Sequence, residues 1–172
     1  MVKKLLLILP LVLISPFALS SDNKDADCLA ENIYHEARGE STLGKIAVGL
    51  VTINRVRDAR WPSNICSVVY EGQVRESWKT KQDPSLSPES RIFYPVKDKC
   101  QFSWYCDGKA DTINYSSYDW QSSYQIAQML LENNKYDGLL EGATHYHATY
   151  VSPDWRLKLT LITRIDNHLF YR

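Results

Sequence analysis

Residues 42–57 constrain the fold more than any other stretch, because a helix there is apolar on every side. Ile46, Ala47, Val48, Leu50, Val51 and Ile53 are interrupted only by Gly49 and Thr52, which leaves no face of the helix for water. Such a helix belongs at the centre of a core, with other elements packed around it. Ser41 or Thr42 supplies its N-cap, and the run ends near Arg57. Gly44 and Gly49 point to close approach of a neighbouring backbone. A chain of 172 residues has room for one such core, and two full domains are not expected at this length.

The other elements follow from period and punctuation. A helix is predicted over Asp27 to Arg38, with Asp25 or Asp27 as N-cap and Gly39 as its stop. After the Trp61-Pro62 break, Ser63 caps a short helix reaching Tyr70. Residues 77–99 hold Pro84, Pro88 and Pro95 without a clear period and read as an extended surface excursion, a kind of loop that often carries function. Trp120, Tyr124, Ala127, Leu130 and Leu131 give the 3.6 spacing of a further helix from Asp119 to Asn133. Beyond Gly142 the pattern becomes strand-like, first at Tyr146, Ala148 and Tyr150, then at Leu157, Leu159 and Leu161. Asp166-Asn167 turns a terminal hairpin that brings His168 to Tyr171 back beside the preceding strand. The expected class is α+β, mainly helical, with a small antiparallel sheet toward the C-terminus.

Residues 1–20 read as an export signal, with residues 21–172 as the working domain. Lys3 and Lys4 precede an apolar run from Leu5 to Ile14, and Ala18-Leu19-Ser20 offers a small-x-small cleavage site. A retained membrane anchor is the alternative, but the run is short for a bilayer span and Pro10 and Pro16 interrupt it. Removing Lys3 and Lys4 from the 20 basic residues leaves 18 against 20 acidic ones, a charge of −2. This balance lacks the positive excess of a nucleic-acid binder. With 23% charged and 12% aromatic residues, the chain is also unlike a disordered or multi-span membrane protein. Export to the periplasm or cell wall would permit disulfides among Cys28, Cys66, Cys100 and Cys106. Cys28 with Cys66 and Cys100 with Cys106 is the favoured pairing, since the second pair closes a local loop around Gln101 to Tyr105. Sequence alone does not settle connectivity, and a four-cysteine zinc site is disfavoured by the spacings.

Three segments could carry chemistry. In Asn32-Ile33-Tyr34-His35-Glu36-Ala37-Arg38-Gly39-Glu40, the helical wheel sets Leu29, Ile33 and Glu36 on one face and Glu31 nearly opposite. A carboxyl on an apolar stripe is pushed toward its protonated form and suits general acid catalysis, as glycosidic cleavage requires. The alternative is a structural ion pair between Glu36 and Arg38 or a distant arginine. Glu40 suits the positive end of the next helix, and His35 and Arg38 suit the surface or a cleft rim. The second segment is Gln101-Phe102-Ser103-Trp104, where an amide and a hydroxyl among aromatic rings match the polar edges and apolar faces of a sugar. Burial of Phe102 and Trp104 in an amphipathic strand is compatible with that role. The third is Thr144-His145-Tyr146-His147. His145 and His147, with His35 or His168, could be zinc ligands, although no metal signature accompanies them, and a site-lining role is the other reading of His145, Tyr146 and His147.

Together these segments resemble the SleB-type cell wall hydrolases, which include the spore-cortex-lytic enzymes. The resemblance rests on Glu36-Ala37-Arg38-Gly39-Glu40, the run Ala47 to Val56, Gln101-Phe102-Ser103-Trp104, Gly142 to His147 and His168-Leu169-Phe170-Tyr171. It implies a lysozyme-like domain acting on the glycan strand of peptidoglycan without a cofactor, with Glu36 as the catalytic acid. Gln101 to Trp104 and Tyr146 would be substrate contacts. It further implies a lytic transglycosylase that forms a 1,6-anhydro product, a scheme needing no second carboxylate. Three other outcomes stay open. These are a hydrolytic muramidase using Glu40 or Glu71 as second carboxylate, a zinc-dependent amidase using His145 and His147, and a non-catalytic glycan-binding module.

Overall fold

The computed structural model describes residues 19–172, so the predicted export segment falls almost wholly outside the described residues. Helix α1 (Leu19–Ala37) begins eight residues before the expected Asp27. The polar lead contains neither Gly nor Pro to stop the helix, so Asp25 and Asp27 fall within its second and third turns instead of capping it. Helix α2 (Thr42–Arg57) matches its expected limits, with the Ser41 side chain accepting from Gly44 N. Every residue from Gly44 to Arg55 is buried, as an all-round apolar helix requires. Helix α3 (Ile65–Val69) is capped by Asn64 rather than Ser63, its side chain accepting from Ser67 N at 2.8 Å.

The predicted excursion after α3 is an ordered antiparallel arm. Strand β1 (Gly72–Glu76) pairs with β2 (Phe93–Cys100), joined by the short helix α4 (Trp78–Lys81) and a 3-10 turn at Pro88–Ser90. Arg75 stands opposite Tyr94, Glu76 opposite Phe93, and a bulge separates these pairs from Gly72 opposite Cys100. Helix α5 (Tyr118–Glu132) starts at Ser117, whose hydroxyl accepts from Trp120 N at 3.2 Å.

The C-terminal sheet has the order β3 (His145–Ala148), β5 (His168–Tyr171), β4 (Leu161–Ile165), all antiparallel. Of the second expected strand run, only Leu161 lies in a strand. Asp154–Lys158 instead form a 3-10 turn after Pro153, with Leu157 turned into water at 75% exposure. Phe170 on β5 is fully buried and joins the cluster formed by α1, α2 and α5.

Gly44 and Gly49 mark close approaches, but of side chains rather than backbone. A Cβ at Gly49 would come within 2.7 Å of Leu130 Cδ1 on α5 and 3.0 Å of Ile33 Cδ1 on α1. At Gly44 it would meet the Asp166 carboxylate. That carboxylate accepts from Ser41 N at 3.0 Å and Ser41 Oγ at 2.6 Å, while Glu40 accepts from Asn167 N and Nδ2 at 3.2 and 3.1 Å. The α1–α2 junction and the β4–β5 turn thus cap each other reciprocally. No helix among the described residues is long and apolar enough to cross a membrane.

Candidate active site

Helix α1 delivers Glu36 where its apolar stripe leaves the core. Leu29 and Ile33 on that stripe are fully buried, and one turn on Glu36 opens onto a cleft of about 580 Å³. Tyr146, one of the expected site residues, donates from its hydroxyl to Glu36 Oε2 at 2.8 Å. Burial holds the Glu36 carboxyl above the ordinary carboxylate range, opposed by the Tyr146 hydrogen bond and the positive charge of Arg55. Burial and the adjacent Glu36 also push the Tyr146 hydroxyl well up, so it remains a donor. Of the two ion pairs considered for Glu36, the one with Arg38 does not occur, since Arg38 is exposed with its guanidinium carbon 5.3 Å from the centre of the Tyr34 ring. The distant arginine is Arg55, whose charge acts on Glu36 without an ion pair between them.

Arg55 belongs to this site and was not among the expected site residues. It is 5% exposed on the last turn of α2, lines the cleft and donates from Nε to Thr144 O at 2.8 Å. Its guanidinium carbon lies 4.3 Å from the Trp61 ring centre and 4.8 Å from that of Phe102. Stacking between two rings stabilises a buried cation, yet Nη1 is left without a partner. The next residue back, Asn54, donates to Ala143 O at 2.9 Å. The end of α2 therefore holds residues 143–144 and, through them, the strand that presents Tyr146. A charge at the end of an otherwise apolar buried helix was the sequence signal for Arg55, since such a charge needs an ion partner, aromatic cover or a site.

The segment Gln101 to Trp104 lies in the cleft wall, where Ser103–Cys106 form a 3-10 turn rather than a strand. Its polar and apolar residues alternate in exposure. Gln101 and Ser103 are exposed, whereas Phe102 and Trp104 are buried. Trp104 Nε1 donates to Asn32 Oδ1 at 3.0 Å, and Asn32 in turn donates to Thr52 Oγ1 at 3.1 Å. His35 stacks on Trp104 at 4.4 Å between ring centres. Burial pulls the His35 pKa down, against the upward pull of Asp111 and Glu31. Disulfides join Cys28 to Cys66 and Cys100 to Cys106; the second brackets this wall segment.

Of the two histidines flanking Tyr146, only His147 shares the cleft with Glu36. His145 packs against Trp61 and Trp155 and does not line the cleft. His147 borders the cleft, but both its ring nitrogens are engaged, with Tyr171 Oη at 3.0 Å and Ala148 O at 2.9 Å. Among the described residues no three His, Cys, Asp or Glu side chains are grouped to hold a metal ion. Glu40 is committed to Asn167, and Glu71, whose charge acts on Arg55, is outside the cleft lining, with Oε2 buried and unpartnered. The other carboxylates in the cleft wall are Asp107 and Asp111, on a loop without period. Asp107 is paired with Lys109 at 3.0 Å.

A family model described as cell wall hydrolase matches residues 39–171, beginning three residues after Glu36. The spore cortex-lytic enzyme of Halalkalibacterium halodurans is 41% identical over 51 residues, which is 30% of this chain and 15% of that protein. The spore cortex-lytic enzyme of Bacillus subtilis is 37% identical over 49 residues, 28% of this chain and 16% of that protein. The matched segments thus span less than a fifth of these relatives' own lengths. Among solved structures, the catalytic domain of the germination-specific lytic transglycosylase SleB from Bacillus anthracis superposes with a TM-score of 0.55 at 19% identity, covering 92% of this chain and all of that one. The catalytic domain of Bacillus cereus SleB gives a TM-score of 0.52 at 20% identity, covering 87% of this chain and 91% of that one. These two share the fold.

Proposed function

Because the chain belongs to the cell wall hydrolase family, we propose that it is exported and cleaves peptidoglycan glycan strands between N-acetylmuramic acid and N-acetylglucosamine as a lytic transglycosylase. The observation that carries this reading is the Glu36 carboxyl, held toward its protonated form by burial and oriented through Oε2 by Tyr146. With Oε2 accepting from Tyr146, Oε1 is the oxygen left to act on a substrate.

In this scheme Glu36 protonates the glycosidic oxygen as the bond from the muramoyl C1 breaks. The developing positive charge at C1 is met by the carboxylate just formed, which Tyr146 and Arg55 stabilise. Glu36 then takes the proton of the muramoyl 6-hydroxyl, whose oxygen closes on C1 to give the 1,6-anhydro ring. Glu36 ends protonated, and no water is consumed. Gln101 and Ser103 supply hydrogen-bonding groups in the cleft wall, over the rigid base made by Phe102 and Trp104.

A second reading is hydrolysis by a muramidase, favoured by one observation: Asp111 shares the cleft with Glu36 and could hold a water. Mass spectrometry of products from purified sacculi separates the two, since anhydro ends are lighter by one water. Glu36→Gln is expected to lower product release by about 10²- to 10⁴-fold with the fold intact. Undiminished release by that variant would remove Glu36 from the mechanism, and reducing ends dependent on Asp111 would select hydrolysis.

A further inference from the structure

The arm formed by β1, α4 and β2 leaves an unusual amount of apolar surface in water. Val74, Trp78, Ile92, Phe93 and Tyr94 are each between 50% and 66% exposed. The arm is not loose, because polar contacts hold it. Arg91 Nη1 donates to Glu76 Oε1 at 2.7 Å, Arg91 Nη2 to Leu86 O at 3.4 Å, and Ser77 N to Ile92 O at 2.7 Å. Order without apolar cover is the mark of a surface made for something else to sit on.

Its chemistry identifies the occupant. A groove of about 370 Å³ is lined by Arg75, Glu76, Ser77, Trp78, Lys79 and Tyr94. Glu76 is neutralised by Arg91, whereas Arg75 and Lys79 have no carboxylate within ion-pair distance among the described residues. Lys79 Nζ lies 5.9 Å from the Trp78 ring centre, and Arg75 is opposite Tyr94 in the strand register. Two open rings beside two unpaired cations fit a ligand with apolar C–H faces and carboxylates close by. We propose that this groove is a second, non-catalytic binding site for peptidoglycan, with Trp78 and Tyr94 stacking on the amino sugars and Arg75 and Lys79 meeting the carboxylates of the stem peptides. The arm leaves the body at Cys100, itself part of the cleft wall, so a strand that extends beyond the cleft has this surface beside it. The assignment rests on peptidoglycan being the substrate.

The test is cosedimentation with purified sacculi in a Glu36→Gln background, which binds without cutting. Trp78→Ala with Tyr94→Ala is expected to weaken binding by roughly tenfold. With Glu36 restored, the same pair should leave turnover of a short soluble glycan unchanged. Arg75→Gln with Lys79→Gln, which removes only exposed charge, is expected to weaken binding and flatten its salt dependence. This pair carries the test if the aromatic pair lowers the melting temperature. Unchanged sacculus binding in both pairs overturns the proposal. So does a parent dimer, seen by sedimentation velocity, that the aromatic pair abolishes, since the groove then belongs to a second copy. Arm-dependent binding by a parent that releases no product would keep this site and reject the catalytic reading instead.

Discussion

Tyr146 and Arg55 act on Glu36 in the same direction, and both oppose burial. A hydrogen bond to the carboxylate and a nearby cation favour the charged form, so removing either raises the Glu36 pKa further. In its proposed role as acid, Glu36 must carry its proton when substrate binds, so activity is expected to fall as pH rises through its pKa. Tyr146→Phe and Arg55→Gln are therefore each expected to move the alkaline limb of the kcat/KM profile to higher pH. Tyr146→Phe should also lose about ten- to a hundredfold in kcat, because Glu36 is no longer oriented. A merely structural role for either residue would lower the melting temperature without moving that limb, and a fixed limb in both variants refutes the coupling. The place of Glu36 on the apolar stripe was legible in the sequence because one helical wheel sets it there, whereas its role as acid came from the family resemblance. Arg55 was not legible, because its setting is assembled from Trp61, Phe102 and Thr144, three segments that no local pattern links.

The two disulfides do different work for the elements they join. Cys28–Cys66 ties α1 to α3 across 38 residues, whereas Cys100–Cys106 closes a loop of six. Loop-closure entropy then predicts about 4 kcal/mol of stability for the first and about 2 kcal/mol for the second. The smaller one fixes the cleft wall that presents Gln101 and Ser103. Paired alanine substitutions are thus expected to separate: loss of Cys28–Cys66 lowers the melting temperature more, and loss of Cys100–Cys106 raises KM more. Equal KM values for the parent and the Cys100–Cys106 variant would detach that bridge from substrate binding. Legibility at this scale followed burial. Helix α2 was readable because burial on all sides dictates its composition, α5 because one buried stripe leaves a 3.6 period, and the β4–β5 turn because Asp166-Asn167 punctuates it. The β1–β2 arm was not readable. Water reaches both of its faces, so no alternation between apolar and polar residues is imposed on it.

Across the whole molecule, the site is a local cost carried by the core around it. Arg55 Nη1, Glu71 Oε2 and His168 Nδ1 are buried without partners, and Glu36 has a carboxyl whose charge burial disfavours. The Glu36 contribution has a definite sign with pH. Below the ordinary carboxylate pKa, Glu36 is protonated in both folded and unfolded chains, and it exacts no penalty. As pH rises past that value the unfolded chain releases the proton while the folded chain retains it. Stability from this residue therefore declines until pH exceeds the raised folded pKa, where the loss is complete. Glutamine keeps an acceptor for Tyr146 and has no proton to lose. Glu36→Gln is therefore expected to melt above the parent at pH 8, with a gap that narrows steadily toward pH 4. Thermal melts of both proteins across that range test this, and a gap that is constant or widens toward acid would mean that Glu36 is not held protonated by the fold.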